Sequence, residues 1–358
     1  MESLLHIKPS HPSLKNLIFE IQIKLHAKTT PIMIQDTHGR NHTYLRISLT
    51  DNCNLRCFYC MPEEDYDFTP ASRLMQADEI ESLAKIFVGL GVNKIRLTGG
   101  EPLVRKDAAD IMLRLSKLPV KLTLTTNATR VHDFIDVFTQ ADITSLNVSL
   151  DTLDKDRFIF MTRRDQFKRT IDNIHLLIDR GFHVKINMVV MKGLNDIELL
   201  DFIEWTKDSH IHVRFIEFMP FEGNRWTSNK VVTLHEMLDI IQTKYEIESL
   251  QNGIHDTDKK FRAVGHKGTF AVISTMSAPF CEGCNRIRLT ADGKIKNCLF
   301  STGETDLLTA LRKNENVEAL IHQNIKTKAK ELGGQFDHDM KKIHAEDLHN
   351  RSMITIGG

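Results

Sequence analysis

Tyr44-Leu45-Arg46-Ile47-Ser48-Leu49-Thr50-Asp51-Asn52-Cys53-Asn54-Leu55-Arg56-Cys57-Phe58-Tyr59-Cys60 carries two signals: an alternating run and, directly behind it, three closely spaced cysteines. In an extended chain Leu45, Ile47 and Leu49 share one face, and Arg46, Ser48 and Thr50 the other. Further β-type runs follow at Lys94 to Thr98, Lys121 to Thr126, Ser145 to Asp151, His183 to Val190 and His212 to Phe218. Helical spacings lie between them. Ile80, Leu83, Ala84, Phe87 and Val88 fall on one face ahead of Gly89 and Gly91, as do Ile171, Ile174, Leu177 and Ile178 ahead of Gly181. Strand and helix in alternation predict a parallel sheet with helices on its outside.

Strands buried on both faces of a parallel sheet read as continuous apolar runs. These instead alternate: Ile95 and Leu97 against Arg96 and Thr98, Leu122 and Leu124 against Thr123 and Thr125, Leu146 and Val148 against Asn147 and Ser149, Val184 and Ile186 against Lys185 and Asn187. With the apolar set on the helices, the polar set lines the inside of a curved sheet, which predicts an α/β fold of the incomplete (β/α)6 TIM-like barrel type. Buried Arg and Lys are costly without partners, so a polar interior implies an anionic ligand or water within it. A flat sheet with one wet face, or ion pairs among these side chains, would give the same alternation. The barrel is expected over residues 41–232. Residues 233–358 open with a helix at Leu234 to Tyr245 and are expected to form a smaller C-terminal layer that carries the second cysteine group and closes the barrel mouth. Residues 1–40 are a preface in which Leu14, Leu17, Ile18, Ile21 and Leu25 have helical spacing.

Lys plus Arg and Asp plus Glu number 47 each among 358 residues, so no global basic field attracts nucleic acid or anionic lipid. No apolar run approaches the roughly 18 residues of a membrane span, and the N-terminus lacks a signal-peptide layout. A cytoplasmic location is expected. Thiols stay reduced there, and clustered cysteines read as metal ligands rather than as disulfides.

All six cysteines fall into two triads, Cys53-x3-Cys57-x2-Cys60 and Cys281-x2-Cys284-x13-Cys298. A four-iron cluster takes four ligands, so three cysteines leave one iron open. The first triad follows the first strand, at the C-terminal mouth where such barrels place chemistry. Zinc asks for four ligands, and no His lies near this loop. For the second triad, zinc completed by His266 is an open alternative. Beside that triad, Arg286-Ile287-Arg288 sets two guanidiniums on one side of an extended segment, which suits phosphate; exposed surface arginines are the plainer reading. Thr98-Gly99-Gly100-Glu101-Pro102 ends the second strand, and its glycine pair either frees backbone for a ligand or serves a tight turn.

The first triad, with the aromatic Tyr59 between its last two cysteines, resembles the radical S-adenosylmethionine superfamily. That likeness implies an open iron that binds the amino and carboxylate groups of S-adenosylmethionine, and one-electron cleavage to a 5′-deoxyadenosyl radical. It also implies cofactor contacts at Tyr59, Gly100, Ser149 and Met219. From about Asp36 to Gly358, with both triads and the Gly357-Gly358 terminus, the chain resembles the GTP 3′,8-cyclases that begin molybdenum cofactor biosynthesis. The resemblance implies two [4Fe-4S] clusters, the second binding guanine, and GTP held at Arg46, Arg96, Thr125, Lys185, Arg286, Ile287 and Arg288. It implies a Gly357-Gly358 tail that reaches the active site, a homodimer, an electron donor, and a downstream cyclic pyranopterin monophosphate synthase. Arg46, Arg96, Thr125 and Lys185 are also polar-face residues of the strands, so two arguments name the same side chains. The chain departs from the family at Ala128, where Gly is usual, and in its longer preface. The rival readings are a peptide maturase of the same superfamily, whose auxiliary clusters use more cysteines, and a non-enzymatic iron-sulfur or zinc sensor, which leaves the polar lining unexplained.

Overall fold

The computed structural model describes residues 33–62, 66–336, 339–344 and 347–357; the Leu14 to Leu25 spacing and Gly358 lie outside the described residues. Six strands follow the anticipated runs: β1 (Tyr44–Ser48), β2 (Lys94–Thr98), β3 (Lys121–Thr126), β4 (Ser145–Ser149), β5 (His183–Val190) and β6 (His212–Glu217). Between them come α1 (Ala77–Gly89), α2 (Ala108–Leu115), α3 (Ile135–Gln140), α4 (Lys155–Thr162), α5 (Phe167–Asp179) and α6 (Leu199–Trp205). Helix α1 starts on a Gln76/Glu79 capping box and buries Ile80, Leu83, Ala84 and Phe87, leaving Val88 half-buried. The outward strand residues Leu45, Ile47, Ile95, Leu97, Leu122, Leu124, Leu146, Val148, Val184 and Ile186 join these helix faces in one core. Each such side chain contributes about 1.5–3 kcal/mol on burial, whereas a one-residue slip would drive Arg46 and Arg96 into that core. The register is thereby locked.

The C-terminal region continues with α7 (Leu234–Gln242), β7 (Ile247–Ser249), β8 (Lys259–Ala263), β9 (Thr269–Ile273), β10 (Arg286–Leu289), β11 (Lys294–Lys296), β12 (Thr305–Asp306), α8 (Leu307–Arg312), α9 (Val317–Lys326) and α10 (Met353–Ile356). These strands extend the sheet on both sides, in the order β12-β11-β10-β1-β2-β3-β4-β5-β6-β9-β8-β7. Strand β9 runs parallel to β6 and β10 parallel to β1, so two further parallel strands flank the expected six. The expected C-terminal layer thus takes a specific form, woven into both edges of the sheet.

This topology sets the ends of the barrel. Residues 274–285 leave β9 at the C-terminal end of the strands and enter β10 at the opposite end, where Arg286 stands level with Tyr44. Cys281 and Cys284 arrive there. Cys53, Cys57 and Cys60 follow the other end of β1, whose five residues span about 16 Å at roughly 3.3 Å each.

Candidate active site

The first triad is held from three directions. The Arg56 and Phe58 amides donate to the Thr162 and Met161 carbonyls at 2.8 and 3.1 Å, pinning the loop to the end of α4. Behind it, Gly100 N donates to Thr50 O at 2.7 Å and Glu101 N to Asn52 O at 2.9 Å. A Cβ on Gly99 would stand 2.6 Å from Thr50 O, and one on Gly100 2.5 Å from Asn52 O, so the glycine pair is what lets the two turns touch. Fully buried Glu101 accepts from Leu103 N (3.0 Å), Thr126 Oγ1 (2.8 Å) and Asn127 N (2.6 Å), tying the turn to β3; burial raises its carboxyl to about 7. Tyr59 donates its hydroxyl to Asp151 Oδ2 at 2.6 Å, and Asp151 Oδ1 accepts from Val189 N at 2.8 Å. The sequence alone gave no sign of that brace.

Burial, with the Glu101 charge, raises the Cys53 thiol to about 11, and burial with Asp151 and the neighbouring thiolates raises Cys57 and Cys60. Such a donor set is relieved by a cationic iron core. Among the described residues no three His, Cys, Asp or Glu side chains converge as a single ion requires. A cubane takes one thiolate per iron and leaves an iron open, so a three-thiol set fits it, whereas structural zinc takes four ligands on one ion. His266 does not line the cavity that holds all six cysteines; its Nδ1 pairs with Thr206 Oγ1 at 2.9 Å and its ring meets Tyr245 edge-on, so it is not placed to complete the second triad.

Around the second triad the thiols differ. Leu332 N donates to Cys281 Sγ at 3.4 Å and Lys328 Nζ to Cys284 Sγ at 3.6 Å. Burial raises Cys281; at Cys284 burial is outweighed by the charges of Lys328 and Arg286, and the thiol falls below its usual range.

Both triads line one cavity of about 490 Å³, within the range of small-molecule sites. The polar strand faces form its wall. Arg288, Arg46 and Arg96 are direct cross-strand neighbours on β10, β1 and β2, and Thr125, Asn147 and Lys185 on β3, β4 and β5. Adjacent like charges repel. Burial and the other guanidiniums hold Arg46 well below its ordinary value, burial lowers Arg288 to about 10, and burial with Arg214 lowers Lys185 to about 8. Arg286 Nη1, Arg214 Nε and Nη2, Asn147 Oδ1 and Asn187 Oδ1 are buried without a partner among the described residues, and all four side chains line the cavity. The unpartnered Arg286 and Arg214 nitrogens beside crowded cations suit an anion, while the Asn147 and Asn187 oxygens are acceptors for a donor on the same ligand.

Tyr59, Gly100, Ser149 and Met219 all line the cavity near the first triad. Arg46, Arg96, Thr125, Lys185, Arg286 and Arg288 line its wall, but the Ile287 side chain is wholly buried in the outer core, so only its backbone could face a ligand. Gly357 is buried, and its carbonyl accepts from Arg288 Nη1 at 2.6 Å. Sequence reasoning missed Tyr44 and Lys94, each two residues before a named arginine, and Arg214 on β6; the period of two would have found them. Tyr44 accepts from Arg96 Nε and lies under Lys94 (4.4 Å) and Arg286 (5.7 Å). Burial would raise its phenol, but the Arg96, Arg46 and Lys94 charges together lower it to about 7. Asp258, the wall's counter-charge 3.9 Å from Arg214, sits in a turn-rich stretch with no signal.

The open parallel sheet, the cysteine loop behind β1 and the glycine turn behind β2 define the radical S-adenosylmethionine class, and residues 47–206 match the Radical SAM superfamily. Residues 211–333 match the Molybdenum Cofactor Synthesis C family. The chain is 45% identical over 342 residues to mitochondrial GTP 3′,8-cyclase of Arabidopsis thaliana, covering 92% of this chain and 85% of that one. Against the GTP 3′,8-cyclase of Listeria welshimeri it is 38% identical, covering 91% and 99%. The chain belongs to the GTP 3′,8-cyclase family. It is 42% identical to mouse Molybdenum cofactor biosynthesis protein 1 but spans only 55% of that longer protein. The crystal structure of Streptococcus suis SuiB bound to S-adenosylmethionine shares the fold, with a TM-score of 0.54, 18% identity, and 88% and 72% of the two chains covered.

Proposed function

We propose that the chain catalyses the radical cyclisation of GTP to (8S)-3′,8-cyclo-7,8-dihydroguanosine 5′-triphosphate, the first step of molybdopterin biosynthesis. The carrying observation is the single cavity with a cysteine triad at each end and an arginine-rich wall between them. Cys53, Cys57 and Cys60 would hold one [4Fe-4S] cluster and Cys281, Cys284 and Cys298 another. With S-adenosylmethionine bound there, the first cluster would supply one-electron radical chemistry at the ribose C3′. The protein's own share is positioning. Gly100, Ser149, Tyr59 and Met219 seat the cofactor. Arg46, Arg96, Thr125 and Lys185 take the triphosphate, for which guanidinium forks are suited. Arg286, Arg288 and the Ile287 backbone, beside the second triad, orient the nucleotide's other end. The Gly357 carbonyl meets the wall residue Arg288, which supports a role for the Gly357-Gly358 tail at this site. A homodimer, an electron donor, a downstream cyclic pyranopterin monophosphate synthase and a cytoplasmic location complete this reading. Among the described residues no helix is long and apolar enough to cross a membrane.

The test is anaerobic reconstitution with iron and sulfide, then incubation with dithionite, S-adenosylmethionine and GTP, followed by mass spectrometry. About eight irons per chain and a cyclised GTP product are expected. Zinc or only about four irons would refute the two-cluster site, and full clusters without product would remove GTP as substrate.

A further inference from the structure

Lys328, just beyond α9, is 4% exposed. A buried ammonium is costly unless an anion faces it. Among the described residues no carboxylate pairs with it; its partners are Arg286 O at 3.0 Å and Cys284 Sγ at 3.6 Å. The neighbourhood adds positive charge through Arg286 and Arg40. The anion that would balance Lys328 is therefore the thiolate-ligated group at Cys284.

The segment carrying Lys328 is fixed against that loop. Arg40 donates to Cys281 O (2.8 Å), Ala329 O (2.9 Å) and Lys330 O (2.7 Å), and is itself held by Asp36 at 2.6 Å. His38 Nε2 meets Lys328 O at 3.1 Å, and Leu332 N reaches Cys281 Sγ at 3.4 Å. Two cysteine sulfurs of the second triad thus receive N–H donors from one strap, residues 328–332. Lys328 does not line the cavity, so its charge acts on the cysteine side of the site rather than on substrate.

We propose that Lys328 is a positioning and potential-setting residue for the second cluster, its ammonium stabilising the extra negative charge of the reduced form. Hydrogen bonds to ligand sulfur and a fixed nearby cation both favour the reduced state. This rests on the reading that Cys281, Cys284 and Cys298 carry a cluster. The first triad, at the opposite end of β1, is the internal control.

The experiment compares reconstituted full-length wild type, Lys328→Met and Lys328→Arg by iron assay and by potentiometric titration followed by electron paramagnetic resonance. In Lys328→Met one of the two one-electron equilibria should shift at least tenfold toward the oxidised form, about 59 mV, with the other unmoved; Lys328→Arg should restore it to within threefold. Loss of about four irons in Lys328→Met but not in Lys328→Arg would also support the role. Two unmoved equilibria at full iron load, or equal iron loss in both variants, would overturn it. A wild type that itself loads only about four irons would refute the two-cluster reading instead.

Discussion

Substituting Gly357 by Ala tests whether the C-terminal tail works inside the cavity. Gly357 has φ 78°, a region costing an L-residue about 1–3 kcal/mol. An added Cβ would stand 2.5 Å from Thr98 Oγ1 and 3.0 Å from Ser48 Cβ. Thr98 is buried and donates that hydroxyl to Ile47 O at 3.2 Å, so moving it forfeits about 1 kcal/mol more. The docked tail is therefore destabilised by about 2–4 kcal/mol, roughly 30- to 1000-fold in its equilibrium. Withdrawal would cost the Arg288 bond to Gly357 O. If the tail must be docked in the transition state, kcat/KM for GTP falls within that range, less any surplus docking energy. The assay is anaerobic product formation by mass spectrometry, paired with tryptic cleavage after Arg351, which Asp292 and Glu304 hold in place. Cleavage should accelerate while iron content and Tm stay unchanged. A kcat/KM within threefold of wild type, with both clusters loaded, would refute a working tail.

Gly100→Ala places a Cβ 2.5 Å from Asn52 O and 2.6 Å from Asp51 O, so the cysteine loop must move; an iron assay should show about four of eight irons lost, and full loading would contradict this. Lys185 titrates near 8 in the folded protein because of burial and then Arg214. Between about pH 8 and 10.4 the unfolded chain holds more protons there, so this group alone makes the free protein more stable as pH rises, whereas GTP affinity should fall if the ammonium holds the nucleotide as proposed. Calorimetric titration should show GTP binding weakening from pH 7 to 9 in wild type and a flatter trend in Lys185→Arg; matching trends would exclude the role. Ala128 sits at φ 62° and is fully buried. Ala128→Gly relieves about 1–2 kcal/mol of strain but loses a methyl (~0.8) and gains unfolded-state entropy (~0.4–1), leaving stability within about 1 kcal/mol by urea unfolding. A larger change would show that the turn itself differs.

The alternation of β1 to β5 was readable because helices cover only one face of the sheet, and it located Arg46, Arg96, Thr125 and Lys185 before any contact was known. The same period separates Arg286 and Arg288 from Ile287, whose side chain accordingly lies in the outer core. Both triads were plain from spacing. What could not be read was partnership across distance. Strands β9 and β10 look like short isolated runs until β6 and β1 accept them at the sheet edges. Arg40 reads as a surface residue of a Gly-Arg turn, although its guanidinium binds three carbonyls from 281 to 330. Asp258 has no periodic context, and its role comes only from His212 and Arg214 beside it.

The pairing of β10 with β1 also dictates an order of assembly. Asn285 and Thr43 are hydrogen-bonded across 242 positions of chain. Contacts of such separation form late, because loop closure must precede them, and a nascent chain emerges from its N-terminus. Six strands and the first cysteine loop are synthesised well before β10 exists. The first triad can therefore take up metal while the sheet edge at β1 is bare, and the arginine wall becomes whole only when the last third of the chain arrives.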